Sequence, residues 1–262
     1  MTTLPTPLQA ELDERLARSA EIGCIAEITS LLAQGADPKH NNSAPLSAAA
    51  KNGHAECVKA LIPISYPGAM ASRALYLAAS GAHAGCVKLL IPVSDPKARD
   101  SLAIRAAATN GATESLRLLI PVSDLPAALR ISASGGHLEC VRLLISCSDR
   151  VDHASSGFHS LRMAIEHGHF ECANLLIELC SLSAEPRPFH EAIAQGQAKA
   201  TAFMLAREPS LIDTIDPAKL ILDAENNDHG DMASLLLSMI ESRALSSSSL
   251  APSKPSGAAP RL

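Results

Sequence analysis

Tryptophan is absent from this 262-residue chain, and aromatic side chains make up only 2% of it. Two tyrosines and four phenylalanines cannot fill a deep globular core, so the 47% of hydrophobic residues must pack mainly as Ala, Leu, Ile and Val. Side chains of that size suit thin layers of closely approaching helices. A basic excess is also missing. With a formal net charge of −5 and an isoelectric point near 6.0, the chain carries no electrostatic footprint for nucleic acid. No apolar run approaches a membrane span, and "MTTLPTPLQAELDERL" lacks the charged start and apolar stretch of a cleaved signal. The expectation is a soluble cytoplasmic protein. Seven cysteines are an odd number for a disulfide scaffold and point to a reducing compartment.

What the chain does have is repetition. "CVKALIPISYP" (57–67) returns as "CVKLLIPVSDP" (86–96), "SLRLLIPVSDL" (115–125) and "CVRLLISCSDR" (140–150). Longer windows align around these phrases: "APLSAAAKNGHAECVKALI" (44–62), "RALYLAASGAHAGCVKLLI" (73–91), "LAIRAAATNGATESLRLLI" (102–120), "AALRISASGGHLECVRLLI" (127–145) and "HSLRMAIEHGHFECANLLI" (159–177). Weaker copies follow at 187–205 and 219–237, and a leading copy lies at 16–38. The central turn positions Gly23, Gly53, Ala82, Gly111, Gly136, Gly168, Gly196 and Asp228 recur at roughly 29-residue intervals, inside the solenoid range.

Each unit reads as two short helices. In 44–62 the first turns Leu46, Ala49 and Ala50 to one side, and Gly53 supplies the turn that ends it. The second turns Cys57, Val58, Leu61 and Ile62 inward and leaves Glu56 and Lys59 wet. Neither helix is long enough to stand alone, so each unit must stack on its neighbours.

These residues resemble the ankyrin repeat family, whose pattern runs roughly T-P-L-H-x-A-A-x-x-G-H-x-E-x-V-x-L-L-L and then x-x-G-A-D. "APLSAAAKNGHAECVKALI" and "SLLAQGADP" keep it best, "RPFHEA" retains the Pro and His of its opening, and the resemblance spans about residues 12–240. It implies an all-α, ankyrin-type solenoid of about eight stacked helix pairs. Two departures matter. An ankyrin repeat uses about 33 residues, part of it on a β-hairpin finger. Here Pro63, Pro92 and Pro121 follow the second helices directly, and "SDPKARDS" offers Asp95 as N-cap with Pro96 in the first helical position. Capped helical turns are therefore expected to replace several fingers. Only "GADPKHNNS" (35–43) is long enough for a full one, and paired strands at the shortest joint, 121–126, would refute this. The second departure replaces the family's opening His by Ser47, Tyr76, Arg105, Arg130 and Arg162, before it returns as His190.

The ends read as a flexible segment over 1–10, a repeat body over 11–243 with polar capping stretches "ELDERLARS" and "DAENNDHGD", and a disordered Ser/Pro-rich tail over 244–262. Within the body, Cys57, Cys86, Cys140 and Cys172 hold one repeat-locked position. Stacked helices lie roughly 8–10 Å apart, too far for a disulfide, so these are read as small core hydrophobes. Cys147 and Cys180 fall just after second helices and are the thiols expected to be more accessible. His54, His83, His137, His169 and His229 form a second ladder. A single file supplies no tetrahedral set for zinc, and the resemblance implies that these histidines fasten units together through hydrogen bonds.

No nucleophile elbow, P-loop, dinucleotide fingerprint or H-E-x-x-H occurs, so no enzyme, cofactor or metal is expected. What the resemblance implies is non-catalytic protein binding through the concave first-helix face by a monomer. By position that face carries Lys51, Asn52, Tyr76, Arg105, Asn110, Arg130, Arg162, Glu166 and His167, with Thr109 and Gln195 beside them and Phe158 and Phe189 as nearby aromatic candidates. The Arg105, Arg130 and Arg162 series has two readings: guanidinium bonds to linker carbonyls, or a basic stripe for an acidic partner. Short-linker repeats of this kind are similar to those of host-associated bacteria and large DNA viruses, which makes delivery into a host cell as an effector one context. An adaptor recruiting a second protein through its tail is the alternative, and an enzyme with an unrecognised site is the third.

Overall fold

A computed structural model describes residues 7–147, 153–180, 186–218 and 230–249. Among them no strand occurs, and helices follow one another in pairs. The chain divides into two compact units, Met1–Cys180 and Ser181–Leu262. The larger holds α1 (Pro7–Ile22), α2 (Ile25–Ala33), α3 (His40–Lys51), α4 (Ala55–Leu61), α5 (Ala69–Ser80) and α6 (Ala84–Leu90). It continues with α7 (Ala98–Thr109), α8 (Thr113–Leu119), α9 (Pro126–Ser134), α10 (Leu138–Ile145), α11 (His153–Glu166) and α12 (Phe170–Cys180). The smaller unit holds α13 (Arg187–Ala194), α14 (Ala198–Arg207), a 3-10 segment Pro209–Thr214 and α15 (Gly230–Ser249).

Repeats pack in register. First helices touch first helices through α1, α3, α5, α7, α9 and α11, and second helices do the same through α2, α4, α6, α8, α10 and α12. Leu46, Leu75, Ile104, Leu129 and Leu161 occupy one layer, while Val58, Val87, Leu116 and Val141 occupy the other, all without solvent exposure. Burying a side chain of this size stabilises by about 1.5–3 kcal/mol, and each residue depends on a neighbouring repeat to be buried. In the smaller unit Phe189, Met204, Leu211 and Leu236 form the core.

The linkers bear out the expectation that fingers are replaced. Proline has no N–H to continue an α-helix, so the chain tightens into 3-10 turns at Ile62–Ile64, Ile91–Val93 and Ile120–Val122. No strands pair at 121–126. Asp95 does not cap the helix, which begins at Ala98 with Lys97 at its N-cap and no side-chain cap bond; its carboxylate instead accepts the Lys97 N–H at 3.0 Å in the preceding turn, as Asp37 accepts that of Lys39 at 2.9 Å. The long stretch 35–43 forms no finger and turns directly into α3.

A second device was invisible in the pattern. Asn41–Ser43 and Arg99–Ser101 are left-handed, with φ between 48° and 62°, and Met70 and Ser72 share that conformation. Each such non-glycine residue costs about 1–2 kcal/mol. What offsets it is a bond between repeats. The turn drives Ser43, Ser72 and Ser101 into the interior, where their hydroxyl oxygens accept the N–H groups of Tyr66, Asp95 and Asp124 at 2.9, 2.8 and 3.2 Å. In the first repeat the buried Asp13 does the same job, accepting the Asp37 N–H at 2.7 Å.

Helix α1 begins at Pro7, inside the segment expected to be flexible. The reason is Gln9, which donates to Asp13 at 2.8 Å and to the Gly35 carbonyl at 3.0 Å. At the other end α15 runs to Ser249, and residues 250–262 lie outside the described set, as do Asp228 and His229.

Candidate partner-binding face

The histidine ladder belongs to the scaffold. His54, His83 and His137 each donate from Nε2 to a carbonyl of the preceding repeat, those of Glu21, Lys51 and Thr109, all at 2.9 Å. Each ring lies over the turn glycine of that same repeat. A methyl group on Gly23, Gly53, Gly111 or Gly136 would sit 2.4–2.6 Å from Nδ1 of His54, His83, His137 or His169. The glycine therefore answers two demands at once: a positive φ, and room for the next histidine.

The cysteine ladder is equally structural. Cys57, Cys86, Cys140 and Cys172 are buried and free, and burial pushes each thiol above its ordinary value. Nearby Cys24 and Glu56 add to the rise at Cys57, whereas a hydrogen bond with Thr113 opposes it at Cys140. Cys24 and Cys147 are half-buried, and the Cys180 side chain lies outside the described set. Iodoacetamide at neutral pH is expected to modify Cys24 and Cys147 while the four buried thiols react only after urea unfolds the chain. Because the folded thiols hold their protons more tightly than unfolded ones, their stabilisation is complete below the unfolded thiol range. It is lost as pH rises through the folded values, so the urea midpoint is expected to fall above about pH 9, the ordinary thiol value being 9.0. Equal modification of all the thiols in the folded chain would contradict this reading.

Of the residues expected on the first-helix face, several turn out to be fastened to their own helix. Asn52 and Asn110 close α3 and α7 by donating from Nδ2 to the carbonyls of Ala48 and Ala106, at 3.0 and 3.1 Å. His167 likewise donates from Nδ1 to Met163 at 2.8 Å and stacks on His169. Asn110 also reaches Ser80 on α5 at 3.4 Å, and Thr109 donates to the Arg105 carbonyl at 2.9 Å. Gln195 accepts from Gln197 at 2.7 Å in the smaller unit.

Among the described residues no hydrogen bond joins Arg105, Arg130 or Arg162 to a linker carbonyl. Arg105 pairs with the Asp100 carboxylate at 3.3 Å and Arg162 with Glu166 at 3.3 Å. Local carboxylates are better acceptors than carbonyls, because both partners are charged. Arg130 is exposed, and its side chain, like those of Arg73 and Lys51, has no hydrogen-bond or ion-pair partner among the described residues. Tyr76 is half-buried. Phe158 and Phe189 are 3% and 0% exposed; both are core residues and cannot serve as anchors.

Sequence reasoning missed a groove. A cavity of about 350 Å³ lies over α3 and α5, bounded by Lys51, Asn52, Arg73, Met70 and the left-handed Asn41 and Asn42, with Glu21 on its rim. The one signal in the sequence was "YPGAMAS", where Tyr66 replaces the linker aspartate and Met70 stands at the turn. In the smaller unit α14 and α15 line an apolar groove of about 890 Å³ with Leu205, Met232, Leu235 and Met239. Among the described residues no group of three or more His, Cys, Asp or Glu side chains could hold a metal ion, and no helix is long and apolar enough to cross a membrane.

A family model described as "Ankyrin repeats (3 copies)" matches residues 16–100 and 103–187, well over half of the chain. The chain belongs to the ankyrin repeat family. Among solved structures it is similar to the human ASB11 ankyrin repeat domain, with 21% identity and a TM-score of 0.56 over 63% of this chain and 82% of that one. At that identity the likeness shows the fold alone. No curated protein sequence matches. Ankyrin repeats are generally protein–protein interaction modules and typically non-catalytic, and the roles of Gly23, Gly53 and their histidines are those of an ankyrin stack whose fingers have been cut back to 3-10 turns.

Proposed function

We propose that this ankyrin protein is a non-catalytic binding module that grips a macromolecular partner through the exposed side of its first helices. The observation that carries the reading is the unspent charge on that side. Lys51, Arg73 and Arg130 are exposed and their side chains have no partner among the described residues, while Arg105 and Arg162 are already matched by Asp100 and Glu166. An elongated row of shallow, polar side chains suits a protein better than a metabolite. The six described free cysteines, four of them buried, support a reducing compartment such as the cytoplasm.

Lys51, Asn52, Tyr76, Arg105, Asn110, Arg130, Arg162, Glu166 and His167 remain the proposed contact residues, with unequal weights. Asn52, Asn110 and His167 cap helices and offer only their outer edges. Proximity labelling followed by affinity measurement on the captured protein, comparing wild type with the Arg105→Ala/Arg130→Ala/Arg162→Ala variant, tests the face. A loss of about tenfold is expected, in line with removal of interfacial charge, and Arg130→Ala alone accounts for most of it. Unchanged partners and unchanged affinity would retire the face as the binding surface.

A further inference from the structure

We infer that the groove over α3 and α5 is a receptor for an extended acidic peptide segment of the partner. The inference rests on the protein-binding reading and adds to it a place and a chemistry. Two cations, Lys51 and Arg73, meet in this groove, one from each helix. Neither has an ion-pair partner among the described residues. Glu21 supplies a single opposing carboxylate, and no salt bridge joins it to either cation. The groove therefore holds a net positive charge on a chain whose formal net charge is −5. Elsewhere on the first helices Arg105 and Arg162 are paired locally and Arg130 stands as a single exposed cation, whereas here two unpaired cations line one groove.

The remaining walls decide what kind of anion fits. Asn41 and Asn42 stand on the left-handed turn and Asn52 on the opposite helix end, supplying amide donors and acceptors that can pair a peptide backbone. Asn52 spends one amide hydrogen on Ala48 and keeps its oxygen. Met70, 49% exposed at the left-handed turn that opens α5, offers an adaptable apolar contact. Carboxylates for the cations, amides for the asparagines and an apolar side chain for Met70 together describe a peptide that alternates acidic and apolar residues. A nucleic acid would meet the same two cations but also Glu21 and a chain of formal net charge −5, and it would leave Met70 without a partner.

A displayed library of twelve-residue peptides panned on the full chain provides the test, with recovered peptides measured by fluorescence polarisation. Peptides enriched in Asp and Glu are expected. Their affinity should fall about tenfold or more in Lys51→Glu/Arg73→Glu, rise in Glu21→Gln, and stay unchanged in Lys59→Ala/Lys88→Ala, whose residues are exposed on the second helices α4 and α6. Both reversed residues are exposed, and circular dichroism establishes that the variant keeps its helices. Peptides without acidic enrichment, no enriched peptide at all, or acidic peptides indifferent to Lys51→Glu/Arg73→Glu overturn the groove assignment. Peptides lost on Arg130→Glu alone would do so while leaving protein binding by the first helices intact. A labelled single-stranded oligonucleotide that binds wild type and is lost in the reversed variant would overturn it in favour of nucleic acid.

Discussion

Replacing Gly53 with alanine is expected to destabilise the larger unit by about 2–3 kcal/mol, as read from the urea midpoint of its far-ultraviolet circular dichroism. Two costs combine. At φ 78° an alanine is strained by about 1–2 kcal/mol. Its methyl group would also lie 2.4 Å from Nδ1 of His83, so the ring must leave and the bond from Nε2 to the Lys51 carbonyl goes with it, a further 0.5–1.5 kcal/mol or so. Gly35 separates the terms, because it has φ 96° but nothing within 4 Å of the added carbon. Gly35→Ala is expected to show only the strain. If His83 is the obstacle, Gly53→Ala in a His83→Ala background will cost less than in wild type, by the share of the clash. Additivity of the two substitutions would mean that glycine and histidine are not coupled.

That coupling explains which parts of the fold were legible in the sequence. The stack was readable because burial is periodic: Leu46, Leu75, Ile104, Leu129 and Leu161 repeat in the first helices, as Val58, Val87 and Val141 do in the second. Pro63, Pro92 and Pro121 announced the 3-10 linkers for an equally local reason, the missing N–H. The partner of each turn glycine was harder to see, because the histidine it accommodates belongs to the next repeat and not to its own. Likewise little in "KARDS" advertises three left-handed residues in a row: Asp100 tolerates that backbone, but Arg99 and Ser101 are poor residues for it, and the buried Ser101 bond that holds it is made to Asp124, 23 residues away. For the candidate face, alignment found the positions Arg105, Arg130 and Arg162 but not their state of charge pairing. Arg105 and Asp100 meet only because the left-handed turn between them brings residues five apart together, a distance no regular helix pairs well. Phe158 and Phe189 were misplaced as well. Both take the buried side of their helices, whereas Phe170 and Tyr66 are 54% and 58% exposed, so scarcity of aromatics did not tell which would face out.

The same coupling predicts how to strengthen the larger unit at a broken rung inside it. Ala112 stands where His54, His83, His137 and His169 stand in their repeats, and its backbone, at φ −76° and ψ 73°, matches that of His83 at −86° and 72°. The preceding turn carries Ala82 where Gly23, Gly53, Gly111 and Gly136 stand in theirs, still at φ 59°. The two departures belong together: with no ring arriving from residue 112, a methyl group at 82 meets no clash, and only its strain remains. Ala82→Gly alone should therefore stabilise by about 0.5–1 kcal/mol, the relieved strain exceeding the added freedom of the unfolded chain. Ala112→His alone should destabilise, because its ring would meet the Ala82 methyl. The double variant should exceed Ala82→Gly by a further 0.5–1 kcal/mol or so, through a new bond from the histidine to the carbonyl of Ser80, the residue in the register of Glu21, Lys51 and Thr109. Urea midpoints of the four proteins close the cycle, and the sign of the Ala112→His effect decides it. If histidine is destabilising with alanine at 82 and stabilising with glycine there, turn and ring were exchanged as a pair; if its effect is the same in both backgrounds, the missing glycine and the missing histidine are unrelated.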